Sequence, residues 1–187
     1  MASLRRIFAS KPKPPKPGAL LAAVQAGNAK SARALLGKGA KVDEKDKDGA
    51  TSLIHAAKLG HADIVLLLLD HDADVNAQDR NQVTALNRAA QAGHSDIVKT
   101  LLAYDAAVNS RDRWGYTPLM WAAHYGHASC AKLLLAQGAD TSPKDRRGYT
   151  ALDLAEKLKH PDVAGLIWES LRDAAAPKAK PPAPPKP

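Results

Sequence analysis

The chain has 187 residues, of which 45% are hydrophobic and 25% charged, and this balance is typical of a folded domain rather than of a disordered or fibrous chain. No apolar run approaches the roughly 18 residues that cross a bilayer, and no apolar segment follows the basic start, so neither a membrane helix nor a secretory signal is predicted. Cys130 is the single cysteine, which excludes a disulfide scaffold and favours a cytoplasmic protein, or a nuclear one if the source is eukaryotic.

The net charge of +8 comes from the two ends of the chain. Residues 1–17 carry +5 and residues 174–187 carry +3, whereas residues 18–173 hold 19 basic and 19 acidic residues. Ten of the 13 prolines also lie in these ends, so we expect two disordered or polyproline-like arms. The arms solubilise the protein or, as an alternative, attract a nucleic acid weakly and in a salt-sensitive way. No specific nucleic-acid recognition is expected, because nothing in the arms reads base edges.

The middle of the chain repeats with a period of 33 residues, shown by four threonines in phase: Thr51, Thr84, Thr117 and Thr150. Leucines follow each threonine after two residues and alanines after five. A degenerate first unit begins near Gly18, so we count five units. The predicted domain covers residues 18–173, and its units lie near 18–45, 46–78, 79–111, 112–144 and 145–172.

The fourth unit shows the predicted elements most clearly. Thr117 is placed to cap a helix, and Pro118 suits the first helical position, so we expect a helix from Pro118 to about Tyr125. Gly126 ends it, because glycine tolerates positive φ, and a second helix is expected from about Ala128 to Ala136. Helices this short are marginal alone, so neighbouring units must stack to be stable.

Four segments carry a shared signature: Thr51-Ser52-Leu53-Ile54-His55-Ala56, Thr84-Ala85-Leu86-Asn87-Arg88-Ala89, Thr117-Pro118-Leu119-Met120-Trp121-Ala122 and Thr150-Ala151-Leu152-Asp153-Leu154-Ala155. This pattern resembles the ankyrin repeat, and the resemblance covers about residues 18–172. It implies an all-α fold, an ankyrin-type α-solenoid of stacked helix pairs with β-hairpin-like turns. It also implies a non-catalytic module that binds another protein. The chain departs from the family where Ile54, Asn87, Met120 and Asp153 replace the signature histidine, and where Gln82 replaces a turn glycine.

The histidines in phase do not predict a metal site. His61, His94, His127 and His160 recur at one repeat position, where helix packing keeps equivalents about 8–10 Å apart, too far to share one zinc ion. We therefore expect a structural role for them. Cys130 is in register with apolar residues and is expected in the core. The sequence carries no catalytic motif, so no catalytic residue, metal or cofactor is predicted.

Residues that break the repeat mark a candidate binding face, since stacking does not require them. In ankyrin-like proteins the turn tips and first helices usually contact partners, which here predicts a site comprising Arg80, Arg113, Trp114, Tyr116, His124, Tyr125, Arg146, Arg147 and Tyr149, with Asn81, Val83 and Gln91 at matching positions. Aromatic and basic types concentrate in units four and five, which favours an acidic partner protein bound by a monomer. Alternatively, Trp121 and Tyr125 pack between repeats, and Trp114 and Tyr116 serve only to pack the turn.

Overall fold

The computed structural model describes residues 15–175, so nearly all of both predicted arms lies outside the described residues. Within this range the chain forms ten α-helices and no β-strand. The helices are α1 (Ala19–Gln25), α2 (Ala29–Gly37), α3 (Ser52–Leu59), α4 (Ala62–Leu69), α5 (Ala85–Ala92), α6 (Ser95–Ala103), α7 (Pro118–Tyr125), α8 (Ala128–Ala136), α9 (Ala151–Lys157) and α10 (Pro161–Ala175). They make five antiparallel pairs, and each pair packs on the next as the resemblance predicts.

The predicted threonine caps are confirmed at the start of the first helix in units two to five. In each, the hydroxyl oxygen accepts a hydrogen bond from the backbone amide three residues on, at 3.2 to 3.4 Å. Pro118 occupies the first turn of α7, and both helices of the fourth unit have the predicted bounds. Capping boxes in α5 and α9 use Asn87 and Asp153, so two of the residues that replace the signature histidine take over a capping role.

The predicted hairpin-like turns are closed by an aspartate in each of units two to five. In the fourth unit, Asp112 N donates to Tyr116 O at 3.0 Å, and Gly115 adopts φ +83°. Gln82 takes the equivalent position in the third unit with φ +61°, as its replacement of a glycine predicts. Adjacent tips are joined by backbone hydrogen bonds, such as Arg113 N to Asn81 O at 2.9 Å. The turns therefore form a continuous row along one edge of the stack.

The repeated histidines connect successive units, which confirms the structural role expected for them. The His160 ring lies against Gly126 of the preceding unit, and its Nε2 donates to His124 O at 3.2 Å. His127 makes the same bond to Gln91 O at 3.1 Å. Gly126 adopts φ +72°, and a β-carbon built there would be 2.5 Å from the His160 ring. Glycine is thus required both by the backbone and by the approaching imidazole.

One core runs through the whole stack, from Leu20 in the first unit to Ile167 in the last. Cys130 is fully buried in it, as predicted, and burial raises the pKa of its thiol to about 11. The reactive thiolate is therefore scarce at neutral pH. The predicted end of the domain is too early, because α10 continues to Ala175, two residues into the segment predicted as a tail.

Candidate partner-binding groove

A groove of about 410 Å³ lies between the turn tips of units four and five and the first helix of unit four. Its lining residues are Trp114, Tyr116, Trp121, His124, Tyr125, Asp145, Arg146 and Arg147. The row of turns fixes the spacing of its two edges, because Arg146 N donates to Trp114 O at 3.1 Å. The groove is therefore a product of two neighbouring units and of no single one.

Aromatic side chains form one wall of the groove. Trp114 on the turn and Tyr125 on α7 are 44% and 47% exposed, which is high for residues of this size. Trp121 lies between Tyr116 and Tyr125, with ring centroids 4.7 Å and 6.1 Å away. Its plane is within 15° of that of Tyr125. The stacked rings present a fixed apolar surface. Because the rings already hold one another in place within the unit, they lose little conformational entropy when a partner binds.

The positive charge of the groove comes from Arg146 and Arg147, both exposed at the tip of the fifth unit. His124 adds no charge at neutral pH, because burial and the nearby Arg147 and His160 lower the pKa of its imidazole. Burial likewise raises the pKa of the Tyr116 phenol, which stays protonated. The rim can therefore bind a carboxylate through two guanidinium groups.

Two aspartates lie at the base of the turns that flank the groove. Asp112 Oδ1 accepts from Trp114 N and Tyr116 N, both at 2.9 Å, while its Oδ2 accepts from Trp121 Nε1 at 2.9 Å. Burial raises the pKa of Asp112, and these hydrogen bonds oppose the rise. Asp145 holds its own turn in the same way through Oδ1, but its buried Oδ2 has no hydrogen-bond partner within residues 15–175.

Six of the nine predicted site residues line this groove: Trp114, Tyr116, His124, Tyr125, Arg146 and Arg147. Arg80, Arg113 and Tyr149 do not. Arg113 is exposed, but its Nη1 donates to Asn81 Oδ1 at 2.8 Å and its guanidinium lies 5.6 Å from the Trp114 ring. Tyr149 is half-buried, and its ring is covered by the Lys157 ammonium at 4.3 Å.

The expectation of exposed tip side chains is wrong at two positions. Tyr116 is only 4% exposed, because its ring turns inward against Trp121 and its hydroxyl lies 3.4 Å from His124 Nδ1. Val83 is 1% exposed and packs in the core. Both residues directly precede a capping threonine, where the chain enters the helix and the side chain is carried towards the stack. Tyr116 thus supports the groove wall rather than extending from the tip.

Asp145 was not predicted as a site residue, although the sequence holds a signal for it. Asp46, Asp79, Asp112 and Asp145 recur every 33 residues, and the residue nine positions later is His55, Arg88, Trp121 or Leu154. Only the last of these four lacks a hydrogen-bond donor on its side chain. The period therefore points to Asp145 as the one turn aspartate with no such donor nine residues on.

Stacked helix pairs joined by a row of turns define a helical repeat protein. Two family descriptions match the chain, "Ankyrin repeats (3 copies)" over residues 20–112 and "Ankyrin repeats (many copies)" over residues 101–155. The chain belongs to the ankyrin repeat family. A search of curated proteins found no match. Ankyrin repeats are generally protein–protein interaction modules and are typically non-catalytic.

Two further observations concern residues 15–175. No helix there is long and apolar enough to cross a membrane. No group of three or more histidine, cysteine or acidic side chains in this range is arranged to hold a metal ion.

Proposed function

We propose that this protein is an adaptor that binds an acidic segment of a partner protein in the groove between units four and five, acting as a cytoplasmic monomer. The observation that carries the proposal is the meeting of exposed aromatic rings with two exposed arginines in one groove. Aromatic residues and arginine are the types that dominate binding hot spots. Elsewhere along the row of tips, the second unit presents the charged Lys47 and Asp48 and no aromatic residue.

The local charge favours an acidic partner. Residues 111–149 hold six basic residues against three acidic ones, although residues 18–173 as a whole hold equal numbers of basic and acidic residues. Two of the three acids, Asp112 and Asp145, are buried and already accept hydrogen bonds from the turn amides. Asp140 is therefore the one exposed acid in this stretch, against six exposed basic residues. Complementary charge accelerates association and selects against basic partners.

A double substitution tests the proposed face. Trp114→Ala with Arg146→Ala should weaken partner binding by at least about 2 kcal/mol, the scale of a hot-spot truncation. Both side chains are exposed on turns, so the melting temperature should change little. The measurement is capture from a lysate of the source organism by the full chain and the variant, followed by titration of each captured protein.

Lys47→Ala with Asp48→Ala, at the equivalent tip of the second unit, is the matched control and should leave the affinity unchanged. Normal binding by the Trp114/Arg146 variant would place the partner elsewhere. A loss of binding that accompanies unfolding would mean that these residues pack the turn.

A second candidate function, association with a nucleic acid, is favoured by the +5 and +3 charges at the two ends of the chain. Binding of this kind should fall steeply with salt and should survive in peptides of residues 1–17 and 174–187. Binding that requires Trp114 and Arg146 instead separates the two functions.

A further inference from the structure

The side chains of the groove offer a partner hydrogen-bond donors but few acceptors. The donors are the guanidinium groups of Arg146 and Arg147 and the indole N–H of Trp114, all on exposed residues. The acid that lines the groove, Asp145, is only 6% exposed; its Oδ1 accepts two turn amides and its Oδ2 is buried. A segment that fits this groove should therefore be rich in acceptors and poor in donors.

The backbone of the two turn tips is not available to an added β-strand. Every backbone N–H from 112 to 116 and from 145 to 149 donates within the protein, across its own turn, to the turn aspartate or to the preceding tip. A peptide that adds to a sheet edge gains its affinity mainly from such backbone groups. Strand addition through these N–H groups is therefore excluded, and recognition has to come from side chains.

A helix is also a poor match for the groove. One turn of an α-helix, about 10 Å wide and 5.4 Å long, fills a cylinder of about 420 Å³. The groove has a volume of about 410 Å³, so it would admit a single turn. A helical partner would thus place only one or two side chains against the aromatic wall, whereas a thinner extended segment can follow the wall along its length.

A proline-rich segment has the properties that the groove selects. Proline has no N–H, and a polyproline II segment makes no internal hydrogen bonds, so its carbonyl oxygens remain open as acceptors. Its apolar rings pack on aromatic faces, and the groove presents the parallel rings of Trp121 and Tyr125, within 15° of each other, together with the exposed Trp114. Aspartate and glutamate side chains add further acceptors and no donor when ionised.

We propose that the groove binds a proline-rich segment of the partner in the polyproline II conformation, with acidic residues beside the prolines that meet Arg146 and Arg147. The rings provide a surface for the prolines, and the two arginines select the charge of the flanking residues. This inference rests on the proposed function and adds the conformation and composition of the acidic segment.

The chain itself supplies the template for matched probes, since residues 180–186 read Lys-Pro-Pro-Ala-Pro-Pro-Lys. The first probe is a blocked peptide with glutamate in place of both lysines. The second keeps the lysines, and the third keeps the glutamates but carries alanine in place of all four prolines. Each is titrated into the full ¹⁵N-labelled chain at neutral pH, and the indole N–H groups of Trp114 and Trp121 and the amide of Gly148 report binding.

We expect the glutamate–proline peptide to bind about tenfold more tightly than the alanine peptide, because proline removes much of the ordering cost. It should also bind about tenfold more tightly than the lysine peptide, because both flanking charges change from attraction to repulsion at the arginines. The two preferences should depend on different residues of the groove.

Substitutions in the groove separate the two preferences. Tyr125→Leu removes an exposed ring and should abolish the proline preference while the charge preference remains; Trp114→Leu should act in the same way and decides if Tyr125→Leu fails to fold. Arg146→Gln with Arg147→Gln should abolish the charge preference and leave the proline preference. Tyr104→Leu, at an aromatic residue of the third unit that is 38% exposed and lies outside the groove, is the matched control and should retain both.

Equal affinity for the proline and alanine peptides overturns the inference, as does equal affinity for the glutamate and lysine peptides. A proline preference that survives in both Tyr125→Leu and Trp114→Leu also overturns it. If no peptide shifts the groove signals while captured partners still depend on Trp114 and Arg146, this inference fails and the proposed function stands. If the partners are also indifferent to Trp114 and Arg146, both fail.

Discussion

In units two to four, the side chain nine residues after the turn aspartate hydrogen-bonds to the aspartate's Oδ2, and this bond orients its own ring or head group. In the fourth unit this pairing determines the shape of the groove, because Trp121 is held by Asp112 while its faces contact Tyr116 and Tyr125. The pair therefore connects the stability of the turn with the form of the binding surface.

Trp121→Phe should destabilise the protein by about 1–2 kcal/mol, because it keeps a ring in place but removes the one donor that the buried Asp112 Oδ2 has within residues 15–175. Urea unfolding of the full chain measures the change. Adding Asp112→Asn should recover part of the loss, since the neutral amide avoids a buried unpaired charge. An unchanged midpoint in Trp121→Phe would mean that water replaces the indole without cost.

Asp153 gives a pH-dependent contribution at the start of α9. Its Oδ2 accepts from Thr150 N at 2.8 Å and from the Thr150 hydroxyl at 2.7 Å, and these bonds lower the pKa of the carboxyl group. Because the folded pKa lies below the unfolded one, the stabilisation is present above the unfolded value, near pH 4, and is lost as pH falls through the folded value.

Asp153→Asn should therefore be less stable than the parent chain at pH 7, and the difference should shrink on acidification to about pH 3. The asparagine copies Asn87 in the capping box of α5, so the cap is retained in neutral form. Denaturation at a series of pH values measures the difference. A difference that is constant with pH would show that the carboxylate is not the stabilising form.

At the scale of the helix pair, units are joined by a glycine that ends one first helix and a histidine of the next unit that covers it. The contact is tight in every case, since a β-carbon on Gly27, Gly60, Gly93 or Gly126 would lie 2.5 to 3.0 Å from the imidazole. Helix termination and unit stacking thus depend on the same residue.

Gly126→Ala should cost at least about 2 kcal/mol more than Gly138→Ala. Both positions have positive φ, +72° and +78°, so both alanines carry a backbone strain of about 1–2 kcal/mol. Only at Gly126 does the new methyl group meet the His160 ring, whereas the space at Gly138 is open. Thermal or urea unfolding gives the two values. Equal costs would contradict the steric part, and His160→Ala should relieve that part selectively.

Over the whole molecule, the residues of the candidate binding surface are concentrated in two units, whereas the core runs through all five. Aromatic and basic residues are concentrated in units four and five, while the apolar core is continuous from Leu20 to Ile167. The last unit also differs on its outer face: Lys159, with φ +61°, stands where four earlier units have glycine. Between earlier units, a histidine of the next unit packs against the glycine at this position. The β-carbon of Lys159 takes up that space, so the outer face of the last unit does not offer the same contact.

We expect residues 15–175 to fold without the rest of the chain, because this fragment contains the continuous core and all ten described helices. The removed segments are basic, and residues 176–187 contain no large apolar residue, so we expect them to contribute little to the core. The fragment should show one cooperative thermal transition within a few degrees of the full chain. A broad transition, or a large loss of melting temperature, would show that an arm packs on the stack.

The period of 33 residues was enough to predict the unit count, the threonine caps, the bounds of α7 and α8 and the left-handed conformation of Gln82. These features depend on local rules, in which a capping hydroxyl, a proline at the first helical position or a positive φ restricts the adjacent backbone. The family's function as a binding module follows from the same pattern.

Only the tertiary structure decided which predicted residues meet. Tyr116 and Trp114 lie on one turn, yet one packs inward and the other faces solvent, because side-chain direction at the tip depends on packing against α7. The groove requires the tip of unit five to lie beside the tip of unit four, and Asp145 has no described hydrogen-bond partner at Oδ2, because the residue nine positions later is a leucine. Periodicity reports what units share, whereas this surface arises from how two unlike neighbours are brought together.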